Sequence, residues 1–297
     1  MNRRALHFTL LAYAFSWSLG LAHYFVRENR GASLALAVLF MFGPALAAVV
    51  LKRFVWREPV APLGLRFNFG PAWLGAFLFP VLLIFGTMGA SLLAPGVSFS
   101  GEMAGFFAKL KGALPPEQFA RVEEKIRGLP VHLFWLSLVQ ALLAGATINA
   151  VAAFGEELGW RGLLFVETER LGFWRQSALI GVVWGVWHAP LILQGHNYPD
   201  HPVAGVFLFT VFCVLAAPLF GWIRARTGSV FAASVSHGVL NAVATLPPLV
   251  ILGGDDLVSG VAGFPALGVL LLLNVALFGW TRVRPAAPAA ETQTTAG

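Results

Sequence analysis

The chain has 297 residues, of which 58% are hydrophobic and 11% charged, with a mean hydropathy of +0.75 and a net charge of +6. A soluble domain carries about 25% charged residues, so this composition excludes an ordinary soluble fold and makes the bilayer the expected solvent. The basic excess is too small and too scattered for a nucleic-acid surface, and the single cysteine, Cys213, excludes a disulfide framework or a cysteine metal cluster.

A spanning helix needs about 20 apolar residues. On that basis the sequence predicts an all-α integral membrane protein with about eight transmembrane helices. The first runs from about 5 to 26; Arg3 and Arg4 before it resemble a signal peptide, but its length and the spans behind it favour a retained helix. The next two spans fall at about 33–51 and 72–94. A long outer connection follows, about 96–130, in which Phe119, Val122 and Ile126 share a helical face. An interfacial helix lying in the membrane plane fits it, and a short soluble helix fits nearly as well. The run 131–165 is too long for one simple crossing, so it is tilted, broken or protruding. Four further spans lie at about 174–194, 203–223, 229–251 and 260–280. The organisation read from this is N-terminal helices with their outer connection over 1–130, a motif-bearing core over 131–251, a last span over 252–281 and a disordered tail over 282–297.

Basic residues set the expected orientation. With both termini in the cytoplasm, the cytoplasmic segments hold 13 Lys and Arg, or 12 if Arg161 lies within the membrane. The short outer loops then hold only Arg27 and Arg30. This asymmetry is the one the positive-inside rule describes.

Ionisable residues inside spans are costly and mark function. Three sets qualify. "GEELGWRGLL" carries Glu156, Glu157 and Arg161. Glu157 and Arg161, four apart, can pair, while Glu156 is rotated by about 100° and can face a cavity. "WGVWHAP" carries His188, and "SHGVLNAV" carries His237 and Asn241, four apart on one face. At the usual helical rise, Glu156 and His188 lie about 20 Å and His237 about 12 Å from the cytoplasmic ends of their helices. They are thus expected to share one polar, cytoplasm-facing cavity. A carboxylate, imidazoles and an amide donor are the groups that hydrolysis by activated water requires. His7 and His23, near the first span, and His132, His196 and His201, beyond or near the outer surface, carry less weight.

These motifs resemble those of the CAAX-protease and bacteriocin-processing (CPBP, ABI or Rce1-like) family of intramembrane proteases. "EELGWR", "WGVWH" and "HGVLN" match its three motifs in order, with Trp184 where phenylalanine is usual. The resemblance implies an Rce1-like bundle and an endopeptidase acting on a membrane-associated or lipidated protein or peptide. In it Glu156 and His188 activate water, and His237 and Asn241 hold the oxyanion. Glu157 and Arg161 are structural or help hold substrate, and Trp184 shapes the pocket. Zinc on Glu156, His188 and His237, or no metal at all, are both compatible with the motifs; an HExxH signature, which argues for zinc, is absent. The implied partners are membrane lipid and a peptide substrate, in a multi-pass protein of a bacterial cell membrane. An ion-coupled transporter and a non-catalytic immunity or scaffold protein are the other classes that the intramembrane charges allow.

Overall fold

The apolar runs form helices in the computed structural model, which describes residues 2–283. Helix α1 spans Arg3–Val26, α2 Arg30–Val49 with a π-helical extension Val50–Val55, and α3 Ala72–Ser91. Strand β1 (Ser98–Phe99) leads into the short helices α4 (Ala104–Ala113) and α5 (Pro116–Arg127). The long helix α6 runs over Leu133–Glu167. Then come α7 (Phe173–Trp187), α8 (Pro202–Thr227), α9 (Val230–Val243), β2 (Ile251–Leu252) and α10 (Phe264–Val283). The disordered tail expected from the sequence lies, beyond Val283, outside the described residues.

Six helical stretches among the described residues are long and apolar enough to cross a membrane, which makes this an all-α multi-pass membrane protein. They do not confirm the expected eight. One of the predicted spans is interrupted by proline. The one expected at 174–194 stops at Trp187, because Pro190 lacks a backbone donor and the chain then reverses at Gly195 with φ 95°. The last helix, α10, runs over 20 residues, Phe264–Val283, and its apolar stretch within the described residues is Phe264–Trp280. The span expected at 229–251 is one of the six, over Val230–Val250; within it α9 ends at Val243 and a single turn, Pro247–Val250, follows before β2.

The overlong run at 131–165 is one continuous helix of 35 residues. It starts at His132, whose ring nitrogen caps the amide of Phe134. Two π-helical segments, Gly145–Asn149 and Leu158–Leu164, flank the stretch that carries Glu156 and Glu157. Such segments re-aim side chains and are frequent at functional sites.

Packing centres on α6, which contacts α2 on one side and α9 on the other, while α9 also lies on α3 and α7 on α8. Two glycines permit this. A Cβ on Gly155 would come within 2.7 Å of the Met41 carbonyl oxygen, and one on Gly238 within 2.3 Å of that of Gly145. Close backbone approach through small residues is how helices associate in lipid, where no hydrophobic force drives them together.

The two ends of the bundle differ. At the N-terminal end, Asn2 donates to the Glu167 carbonyl, and Arg4 and Lys52 both pair with Glu58, at 2.7 and 2.6 Å. Arg4 first, and then Lys52, hold the Glu58 carboxyl down to about 2. At the other end β1 and β2 pair antiparallel, Ser98 opposite Leu252 and Phe99 opposite Ile251, with α4 packed beside them. Helix α5 buries no residue, but Phe119 and Ile126 of its apolar face rest partly against the core.

The loops at this second end are tied together. Asp256 accepts hydrogen bonds from the amides of Asp200 and His201 and pairs with His201 Nδ1 at 2.6 Å. The hydrogen bond to Asp256 raises the His201 pKa above its ordinary value of 6.5. A raised histidine pKa gives stability that is fully present below the unfolded pKa and is lost as pH rises through the folded one. The expected result is that His201→Gln lowers the thermal midpoint of the detergent-solubilised protein at pH 6 by more than at pH 9. An equal loss at both values would show that the pair does not depend on the imidazolium.

Candidate active site

The two carboxylates of "GEELGWR" have separate fates. Glu157 is fully buried; its Oε1 accepts from Arg161 Nη1 at 3.0 Å and from His237 Nδ1 at 2.8 Å. The guanidinium of Arg161, also fully buried, lies over the rings of Trp184 and Phe220, at 4.5 and 4.7 Å from their centroids. Glu156 points elsewhere, towards a cavity of about 320 Å³ that Trp184, His188, His237 and Asn241 also line. Neither Glu157 nor Arg161 is among the lining residues, so of the two roles open to them the geometry supports the structural one.

The hydrogen-bond partners fix which atoms face the cavity. Glu156 Oε2 accepts the indole N–H of Trp184 at 2.7 Å. This contact was not legible in the sequence, where Trp184 reads as a packing residue; a phenylalanine there could not make it. His188 Nδ1 lies 2.8 Å from the Trp184 carbonyl oxygen. A carbonyl only accepts, so Nδ1 carries the proton and Nε2 keeps its lone pair. His237 Nδ1 faces a carboxylate oxygen, so it too carries a proton. Asn241, one turn beyond His237, is exposed to the cavity and its amide makes no hydrogen bond to the described residues.

The cavity mouth differs from the expectation. The sequence reading places a funnel on the side of the termini. The lining instead runs from Glu156 to exposed His196 and half-buried Asn197 and Val261, in the loops at the end opposite the N-terminus. The physical reason is the short α7: its end at Trp187 puts His188 at a helix terminus beneath these loops, where the reading had it deep in a full span. His196 is a lining residue that spacing could not reveal, since no motif includes it. His201 likewise found its carboxylate partner, Asp256, across 55 residues.

The zinc reading was tested on the donor set. Among the described residues no three His, Cys, Asp or Glu side chains converge in a way that could hold a metal ion. Glu156, His188 and His237 therefore do not form a three-ligand zinc site in this arrangement.

Fold and site together define the class: a multi-pass helical membrane protein with a carboxylate and two imidazoles around a cavity between its helices. Comparison with known proteins finds similarity over the motif-bearing core. Residues 132–243 match the family model described as "Type II CAAX prenyl endopeptidase Rce1-like". The stretch 132–243 is thus similar to that family, and all of the motif residues above fall within it. A segment of 49 residues is 43% identical to "CAAX prenyl protease 2" of Methanococcus maripaludis. That alignment spans 16% of this chain and 18% of the relative, under a fifth of its length.

Proposed function

We propose that this protein is an intramembrane endopeptidase that hydrolyses a peptide bond of a membrane-associated or lipidated protein or peptide. The observation that carries the reading is the division of labour between the adjacent carboxylates. Glu157 is spent on Arg161 and His237, while Glu156 accepts the Trp184 indole N–H and lines the cavity.

In this reading Glu156 and His188, which line the same cavity, share the task of taking a proton from water. The hydroxide attacks the scissile carbonyl carbon, and the carbonyl oxygen becomes the oxyanion of a tetrahedral intermediate. Asn241 and His237 donate to that oxygen. His237 donates from Nε2 as an imidazolium, for which Glu157 is the counter-ion; a charged His237 brings the sum over Glu156, Glu157, Arg161 and His237 to zero. Collapse breaks the C–N bond, and the proton held by Glu156 passes to the leaving amine, leaving a carboxylate and an amine as products. Cleavage in heavy-oxygen water tests the chemistry. One heavy oxygen should appear in the new C-terminal carboxylate; a product without it would exclude hydrolysis.

Asn241→Ala is expected to lower kcat by about 10²–10³ with little change in KM, as for loss of a donor used only in the transition state. A change confined to KM would reassign Asn241 to substrate binding.

The excess of Lys and Arg at the end that carries the N-terminus supports an orientation with both termini in the cytoplasm. The cavity mouth then faces the other side, and substrate is presented from there. Cysteine labelling in a Cys213→Ser background checks this. A membrane-impermeant thiol reagent added to cells should modify His196→Cys and spare Arg53→Cys and Arg226→Cys. The reverse pattern would invert the orientation and place the mouth in the cytoplasm.

A further inference from the structure

At the N-terminal end of the bundle, far from the cavity mouth, two guanidinium groups share one small region. Arg224, near the end of α8, is buried to within 8% exposure. Its Nε donates to the Arg161 carbonyl at 2.9 Å and its Nη2 to that of Leu63 at 3.3 Å. Arg66 donates from Nε to the Gly228 carbonyl at 3.1 Å. The two are within electrostatic reach of each other. Neither pairs with a carboxylate among the described residues, although Arg4, Lys52 and Arg161 all do. Each guanidinium has five N–H donors, and carbonyls take up only part of that capacity.

The region is built rather than incidental. Gly64 and Gly228, both at positive φ (95° and 64°), leave the space the two groups occupy: a Cβ on Gly64 would lie 2.7 Å from Arg224 Nη2, and one on Gly228 would lie 2.2 Å from Arg66 Nη2. The N-terminus of α9, capped by Ser229, adjoins them and adds the positive end of a helix dipole. Two cations and a dipole of the same sign, one cation largely desolvated, are costly without a counter-ion. The partner that fits planar, forked donors is a phosphate oxygen pair.

What lies beside them points to the source of that phosphate. Phe67 and Phe69, next in sequence to Arg66, are 65% and 74% exposed. Phe67 stacks on Phe231 of α9 with centroids 4.2 Å apart, and Phe69 packs on Trp73 at 4.7 Å. Exposed aromatic rings beside unpaired arginines at a helix-bundle end suit a membrane interface, with rings against acyl chains and cations at head-group level.

We propose that Arg66 and Arg224 form a head-group site for an anionic phospholipid, with the Phe67–Phe69 ledge supporting its chains. It lies outside the candidate active site and does not depend on the protease reading. The test uses purified full-length protein in a neutral detergent. Phosphatidylglycerol and phosphatidylcholine with identical chains are titrated, and bound lipid is counted by native mass spectrometry. Phosphatidylglycerol should bind in preference, and Arg66→Gln should weaken it about fivefold, the effect of one basic residue at an anionic surface. Arg66→Lys should retain most of the binding, and Arg30→Gln at the opposite end should change nothing. Should Arg66→Gln fail to fold, the wild-type preference must still fall as ionic strength rises. Equal binding of the two lipids, or an unaltered affinity in Arg66→Gln, overturns the site. Displacement of phosphatidylglycerol by an equal concentration of inorganic phosphate overturns the assignment to lipid.

Discussion

Glu156→Gln should lower peptide hydrolysis by about 10²–10⁴-fold, the usual cost of a lost general base. The amide keeps the shape of the carboxylate, and its oxygen can still accept the Trp184 indole N–H that Glu156 Oε2 accepts at 2.7 Å. Folding should therefore survive, and the thermal midpoint should move little. Glu157→Gln should differ in kind, because Glu157 faces Arg161 and His237 and not the cavity. It should cost stability together with activity. Steady-state cleavage and thermal melting of the two variants side by side separate these roles; a Glu156→Gln enzyme that cleaves nearly as well as the parent would remove Glu156 from the chemistry.

Arg161→Ala should destabilise the protein by about 3–5 kcal/mol, the effect of removing one partner from a buried ion pair. The guanidinium is fully buried, bonds Glu157 at 3.0 Å and lies over the rings of Trp184 and Phe220. Truncation leaves Glu157 with His237 alone, and it opens a void beside two aromatic rings. A compensated variant, Glu157→Gln with Arg161→Met, should recover part of the loss, since it removes both charges and refills the space. Folded yield and unfolding midpoint in a fixed detergent measure both. Arg161→Ala as stable as the parent would mean that the pair contributes nothing to the fold.

Local spacing was readable where chemistry is local. The i,i+4 offset of Glu157 and Arg161 predicts the ion pair that forms, and the same offset puts His237 and Asn241 on one face of α9. Composition alone identified a helical membrane protein. Contacts across the bundle were not legible, because they depend on which helices become neighbours. His237 and Glu157 are 80 residues apart, and Trp184 and Glu156 are 28 apart. Hydropathy also hides where a helix stops. The run through His188 is apolar on both sides, yet Pro190 and Gly195 end the helix and turn the chain. That early stop moved the cavity mouth to the end opposite the N-terminus. The π-helical segments around Glu156 leave no mark in composition or period either.

The most direct measurement of the central claim is product analysis of proteoliposomes carrying wild-type protein or Glu156→Gln, each offered a library of membrane-anchored peptides. The account predicts new peptide termini with the wild type and at most trace amounts with Glu156→Gln. Uptake of peptide or ions without cleavage would contradict it in favour of a transporter, and intact peptides with no uptake would leave a scaffold that keeps the cavity but performs no hydrolysis.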